Sequence, residues 1–458
     1  MTMFTEESPL RVAIIGSGPS GFYAAESLFK REIPCKVDMY EKLPTPFGLL
    51  RGGVAPDHQK LKSVSKAYDR IASNENFAFF GNVTIGKDIA VKDLESAYHA
   101  IVFASGTESD RALGIPGEDL DGSYTATEFV GWYNGHPDYK HKVFDLSKKR
   151  VAIIGQGNVA IDVCRILAKT PEELATSDIA DYALEALKDS KVEEIYLIGR
   201  RGPVQAAFTE LEIKELGVLE DADPVVSTED VSLSETDKAE LELPKNHKAQ
   251  KNTAILKEFS ERGEGVKKRK IRIRFFESPM EILGSDHVEA LVLGKNKLEG
   301  EAGAQKARLT DERETLAVDL VFRSIGYKGL PIEGVPFDEK RNVIANEEGR
   351  IQTAEQTHQK GYYVTGWIKR GPSGVIGTNR ADSIQTIDKL MEDVGHLLTP
   401  EYDSNDSVLR ALEEKGQRVV SFEDWEKLNQ EEVRLGQEKG KPREKFTSVE
   451  EMIAFLSR

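Results

Sequence analysis

Hydrophobic and polar positions follow two rhythms along the chain. Short, largely apolar runs at 12–15, 36–40, 77–85, 100–103, 149–154, 194–198, 316–324 and 361–365 predict strands, those at 12–15 and 361–365 buried. Several lead into apolar residues at helical spacing: Phe22, Ala25, Leu28 and Phe29 after the first, and Val163, Ile166 and Leu167 after the fifth. Leu61, Val64, Ala67, Tyr68 and Ile71 predict another helix, opened by Pro56-Asp57. Strands alternating with helices predict parallel sheets and an α/β fold. Runs at 271–276, 280–283 and 287–293 predict a small antiparallel meander. The basic run 267–274 (KKRKIRIR) alternates in a way that suits an edge strand with one cationic face, guarding an edge or docking a partner. The acid-rich helical stretch 170–190 is expected to be peripheral, 206–219 to be a helix capped by Thr209 or its neighbours, and the part after Pro400, with Trp425, to be a peripheral appendage. Residues 1–9 carry Glu6 and Glu7 with no cationic start or apolar segment, so they predict a short frayed tail rather than an export signal.

The strand breaks carry the chemistry. The first run ends in Gly16-x-Gly18-x-x-Gly21: one glycine for the tight turn, one leaving room for a pyrophosphate, one for close helix–strand packing, with Ser20 in the first helical turn. The next strand ends in Glu41, 20 residues after Gly21, where a carboxylate accepts the ribose hydroxyls of an adenine dinucleotide such as FAD. The same device recurs as Gly155-x-Gly157-x-x-Ala160, but its second strand runs into Gly199-Arg200-Arg201-Gly202. A carboxylate there repels a ribose 2′-phosphate; a guanidinium pairs with it. The second unit therefore predicts NADPH rather than NADH. A long Pro- and Gly-rich loop, 43–58, ends in His58, which taken alone reads as an ordinary surface histidine.

Composition changes this picture little. At 458 residues, with 39% hydrophobic and 31% charged positions, the chain predicts a globular protein of more than one domain. A net charge of −16 argues against a nucleic-acid role, and no apolar run approaches membrane-spanning length. The 2 cysteines, Cys35 and Cys164, are far apart, which argues against a disulfide framework, a redox dithiol or a cysteine-ligated cluster and suits a reducing, cytoplasmic setting.

Five longer stretches, GSGPSGFYAAESL, YEKLPTPFGLLRGGVAPDH, GQGNVAIDVCRIL, GRRGPVQAAFTELEIKEL and GWIKRGPSGVIGTNRADS, resemble the adrenodoxin-reductase-type ferredoxin–NADP reductases, including bacterial members. The resemblance implies two Rossmann-like domains of glutathione-reductase type. The FAD domain would comprise 1–107 plus 330–458, and the NADPH domain 108–329. It implies that Ser20, Glu41, Leu49 and Val83 lie along FAD, with Trp367, Gly374, Val375 and Ile376 at the flavin end. Gln156, Gly157, Asn158 and Val159 would hold the NADPH pyrophosphate, Arg200 and Arg201 its 2′-phosphate, and Glu212 the nicotinamide half. It also turns His58 from a surface residue into one half of an active-site pair with Glu215. The implied reaction is hydride transfer from NADPH to flavin, then single-electron transfer to a ferredoxin, with no metal site of the protein's own. A monomer is expected. Ferredoxins are generally acidic, so Lys369, Arg370 and the run near Lys267 are docking candidates. The rival readings are a flavin oxidoreductase with a quinone or monooxygenase-type acceptor, and a non-catalytic nucleotide-sensing flavoprotein.

Overall fold

In a computed structural model the described residues are 4–374 and 376–458. They form two compact units: residues 1–54, 58–109 and 327–458, and residues 55–57 and 110–326. The three residues 55–57 thus group with the second unit although both their chain neighbours belong to the first.

The first unit is built on a seven-stranded sheet. Its order runs Asn346–Glu347, Arg350–Gln352, His358–Val364, Ala100–Phe103, Leu10–Ile15, Cys35–Glu41, Phe77–Gly81. The last five strands are mutually parallel, and every residue of Leu10–Ile15 and Ala100–Phe103 is buried, as continuous apolar runs require. The run read as a strand over 77–85 stops at Gly81, because Asn82 turns the chain with φ +62°. The helix expected after Pro56 is two short ones, Gln59–Lys62 and Ser65–Ala72.

Two expectations about chain ends are corrected here. Phe4 is buried and packs edge-on against His99 at 4.9 Å, so the described part of the N-terminal segment does not fray; residues 1–3 lie outside the described residues. The C-terminal stretch is no appendage either. Trp425, Leu428 and Met452 join the cluster on one face of the sheet, and Val408 and Leu412 the cluster on the other. Its polar sequence hid a few large apolar residues at helical spacing, and these enter the core.

The second unit has a six-stranded parallel sheet ordered Ser123–Thr125, Leu320–Arg323, Arg150–Ile154, Glu194–Ile198, Arg269–Arg274, Ala222–Val226. The basic strand Arg269–Arg274 is therefore interior, not an edge. Its inward residues are buried, and its cations meet carboxylates on neighbouring strands and loops. The antiparallel meander is Glu277–Leu283, Ala290–Glu299 and Lys306–Ala317, one strand further along than the apolar runs suggested. Its last strand is mostly charged and polar and has no continuous apolar run to betray it. The 170–190 stretch forms helices Pro171–Ala175 and Asp181–Lys188, whose Leu174, Ala183, Leu184 and Leu187 belong to the unit's main core rather than its periphery. The helix expected over 206–219 is confined to Glu210–Leu216; Thr209 occupies its N-cap position without a capping side-chain bond.

Candidate functional site

The first cradle lies at the carboxyl ends of parallel strands, where open α/β sheets take ligands. Gly16 has φ +107°, and a Cβ there would stand 2.6 Å from the Ala104 carbonyl oxygen. A Cβ on Gly21 would stand 2.2 Å from the Gly16 carbonyl oxygen, so helix Pro19–Phe29 can approach its strand only without a side chain there. Over Gly18 a Cβ would meet nothing within 4 Å, and this residue caps the helix without any side-chain bond. Close packing on two sides and open space at the helix N-terminus fit a pyrophosphate. Ser20 is buried, and its carbonyl accepts from Ser383 Oγ at 2.9 Å.

Glu41 ends its strand with its carboxylate held: Oε2 accepts from Ser17 N (3.1 Å) and Ser17 Oγ (2.7 Å), and Oε1 from Leu43 N (3.2 Å). Burial pushes this carboxyl up, while the bonds from Ser17 and Leu43 pull it back. Val83 is buried, and its N–H donates to the Glu41 carbonyl at 2.9 Å. Leu49, 37% exposed, begins the short helix Leu49–Gly52. These features fit the adenosine and pyrophosphate halves of FAD.

The loop after Val364 leads to helix Ile376–Glu392. Trp367 stacks on Tyr327 (5.8 Å between centroids, planes 26° apart) and donates from Nε1 to the Ser373 carbonyl at 3.2 Å. Gly374 is exposed with φ +82°; Ile376 is half-buried; Val375 lies outside the described residues. Sequence reasoning missed Asp382, which organises this loop. Its carboxylate accepts from Gly366 N (2.5 Å) and pairs with Lys369 (3.0 Å) and Arg370 (3.1 Å). The signal was an acid nearly two turns into a helix that follows a glycine-rich loop.

The second cradle repeats the first. A Cβ on Gly155 (φ +131°) would stand 2.1 Å from the Ser324 carbonyl oxygen, whereas one on Gly157 would meet nothing within 4 Å. Gly157 caps helix Asn158–Ala168, again with no side-chain bond, and Ala160 is fully buried where the first cradle has its third glycine. Gln156 donates from Nε2 to the Arg274 carbonyl (2.9 Å), and Asn158 Oδ1 accepts from Thr209 N (2.8 Å), leaving Val159 half-buried behind them. At the carboxyl end of Glu194–Ile198, Arg200 and Arg201 are both exposed. Among the described residues neither guanidinium makes a hydrogen bond or ion pair.

Deeper in this unit lies a cluster that no local motif announces. Arg165 is fully buried, and its guanidinium reaches Asp57 (2.8 Å), Asp162 (2.8 Å), Glu212 (3.1 Å) and Glu215 (3.4 Å). Lys169 adds a second cation to Asp57 at 2.9 Å. Burial pushes the Asp57 carboxyl up, but Arg165 and Lys169 outweigh it and hold it well below the usual carboxylate range. The Pro56 carbonyl accepts from Asp178 N at 3.4 Å, so the 170–190 stretch also holds this segment. Glu212 and Glu215 project from Glu210–Leu216, while His58, immediately after Asp57, belongs to the first unit as the residue preceding Gln59–Lys62. The sequence offered Arg165 only as one polar residue on an apolar helix.

The docking candidates are corrected by their partners. Lys369 is buried against Asp382, Gln385 and Thr386, and Arg370 pairs with Asp382. Within the basic run, Arg269 pairs with Asp221, Lys270 with Asp223, Arg272 with Glu194 and Glu264, and Arg274 with Glu277 and Glu314. These cations are internal ties. Exposed cations without an ion pair among the described residues include Lys60, Lys66 and Arg70, close after His58.

Two dinucleotide cradles that end in opposite charge, Glu41 in one and Arg200-Arg201 in the other, define an oxidoreductase that handles two different nucleotides. The family model described as pyridine nucleotide-disulphide oxidoreductase matches residues 10–197. The chain is 44% identical to NADPH-ferredoxin reductase FprA of Mycobacterium leprae over 96% of its length and 97% of that relative. It is 42% identical to the human mitochondrial NADPH:adrenodoxin oxidoreductase over 99% of its length and 93% of that relative. The solved structure of Mycobacterium tuberculosis FprA in complex with NADPH superposes with a TM-score of 0.92 at 41% identity, covering 98% of this chain and 100% of that one. The chain belongs to the family of NADPH-dependent ferredoxin and adrenodoxin reductases. The disulphide in the broader model's description has no counterpart here: Cys35 and Cys164 are both buried, in separate units, and burial pushes the Cys35 thiol up to about 11.

Proposed function

We propose that this protein takes hydride from NADPH onto a bound FAD and passes the electrons singly to a small iron–sulfur protein of the ferredoxin class, acting as a cytoplasmic monomer. The observation that carries this reading is the contrast between the two ribose ends. A held carboxylate at Glu41 suits a ribose with free hydroxyls; two unpaired guanidiniums at Arg200 and Arg201 suit a 2′-phosphate.

When bound, FAD supplies the chemistry: it accepts a hydride and gives up electrons one at a time. The chain's residues bind and orient. The helix starting after Gly18 would hold the FAD pyrophosphate; Ser20, Glu41, Leu49 and Val83 would lie along FAD, with Trp367, Gly374 and Ile376 at its flavin end. Gln156, Gly157, Asn158 and Val159 hold the NADPH pyrophosphate, and Glu212 its nicotinamide half. His58 and Glu215 form the pair that sets nicotinamide placement and the protonation around it. This pairing is supported by chain adjacency: Asp57 is held by the same guanidinium that lies 3.4 Å from Glu215 Oε2, and His58 is the next residue.

The test is anaerobic stopped-flow reduction of the purified yellow protein. NADPH is expected to bleach the flavin much faster than NADH, and His58→Ala to slow that bleaching. Equal rates with the two nucleotides refute the arginine reading. An unchanged rate in His58→Ala refutes the role given to His58. A colourless protein refutes the flavoenzyme reading itself.

A further inference from the structure

The turn that carries Arg200 and Arg201 does not hold itself. Both arginine carbonyls are bound by residues from much later in the chain. Asn296 donates from Nδ2 to the Arg200 carbonyl at 2.9 Å and to Ser278 Oγ at 2.8 Å. The Phe276 N–H donates to the Arg201 carbonyl at 3.1 Å, and the Asn296 N–H donates in turn to the Phe276 carbonyl at 2.7 Å. Gly199 is tied on both sides, its N–H to the Arg274 carbonyl (3.0 Å) and its carbonyl to the Glu277 N–H (3.0 Å). The Phe276 ring lies so close over Gly202 that a Cβ there would stand 2.7 Å from it.

Two departures from regular backbone place these groups. Phe276, at the corner between the parallel sheet and the meander, holds φ +57°, a conformation a bulky side chain adopts only under constraint. Asn296 sits where the pairing of Ala290–Glu299 with Lys306–Ala317 shifts register after Gly294. Such irregularities re-aim a side chain out of the sheet's alternation. The result is a turn whose backbone is fixed at every carbonyl while its two guanidiniums stay exposed and unpaired.

We infer that Asn296, with the Phe276 corner, is a positioning residue for nucleotide specificity: it fixes the backbone of Arg200 so that the two guanidiniums converge on the ribose 2′-phosphate. This rests on the assignment of Arg200 and Arg201 to that phosphate. Two long, flexible cationic side chains discriminate well only if their stems are pre-set, since ordering them on binding costs conformational entropy. Asn296 touches no nucleotide in this account; it acts through Arg200.

The test uses the FAD-loaded protein and calorimetric binding of adenosine 2′,5′-bisphosphate and adenosine 5′-monophosphate, which differ by the 2′-phosphate. Asn296→Ala and the volume-keeping Asn296→Leu are each expected to weaken the bisphosphate about five- to tenfold, as loss of one hydrogen bond predicts, with the monophosphate unchanged. In turnover, KM for NADPH should rise by the same factor while kcat and the NADH parameters hold. Parallel weakening of both ligands, or a wild-type ratio in the Leu variant, overturns the inference. Arg200→Ala separates the two layers. If it collapses the bisphosphate-to-monophosphate ratio and the Asn296 variants do not, the positioning role alone fails. If it leaves the ratio intact, the arginine assignment fails and this inference with it.

Discussion

Arg165 is where single-residue energetics weigh most. A fully buried guanidinium among four carboxylates is balanced only as a set, and removing the cation takes from all four the charge they share. Arg165→Met is expected to cost about 3–5 kcal/mol, which for a unit of this size lowers the thermal midpoint on the order of 10 °C. The loss should be pH-dependent with a definite sign. The depressed Asp57 carboxyl stabilises the fold above its unfolded value near ~3.9, and that stabilisation disappears as pH falls through the lower folded value. The gap between wild type and variant, read from melts across pH, should therefore be widest near neutrality and narrow below about pH 5 as the carboxylates around position 165 protonate. A constant gap would mean that Arg165 contributes packing rather than charge balance. Residues of this kind set the limit of sequence reading. Glu41 and the two arginines were legible because each stands at or just past the end of the strand that follows a glycine turn and its helix. Arg165 was not, because only Asp162 is local to it, one turn away on the same helix, while Asp57, Glu212 and Glu215 come from distant stretches.

At the scale of elements, strand–turn–helix units were legible and the order of strands was not. Periodicity tells a strand from a helix, but the place of Arg269–Arg274 between Glu194–Ile198 and Ala222–Val226 follows from long-range pairing. Its charges pointed to an edge, while the partners that neutralise them were scattered from Glu194 to Glu314. The C-terminal helices show the same limit. Glu432, fully buried on Phe422–Glu438, takes Arg51 at 2.8 and 2.5 Å, Arg443 at 3.1 Å and the Phe446 N–H at 3.0 Å. Trp425 on the same helix lies under the Arg51 guanidinium (5.1 Å) and edge-on to Phe47 (5.8 Å). This helix therefore clamps the loop that carries Leu49. Glu432→Gln should lower the melting midpoint by several degrees and speed loss of flavin fluorescence quenching on warming. A variant that melts earlier yet keeps flavin to the same temperature would separate the clamp from flavin retention.

For the whole molecule the governing quantity is the charge of −16 set against a partner expected to be acidic. Long-range repulsion and short-range attraction to local cations such as Lys60, Lys66 and Arg70 respond to salt at different distances. The expected kcat/KM for a ferredoxin is bell-shaped in ionic strength, rising as the distant field is screened and falling once contact pairs weaken near ~0.5 M. A monotonic fall would assign control to the local patch alone. Among the described residues no helix is long and apolar enough to cross a membrane.

The excursion of residues 55–57 into the second unit has a consequence for protein engineering. The stretch 110–326 looks like a portable NADPH module, yet one of the two carboxylates 2.8 Å from its buried arginine is encoded more than fifty residues upstream of it. A chimaera that transplants 110–326 into another reductase must therefore also carry Pro56 and Asp57, or inherit a host loop that supplies an acid at that place.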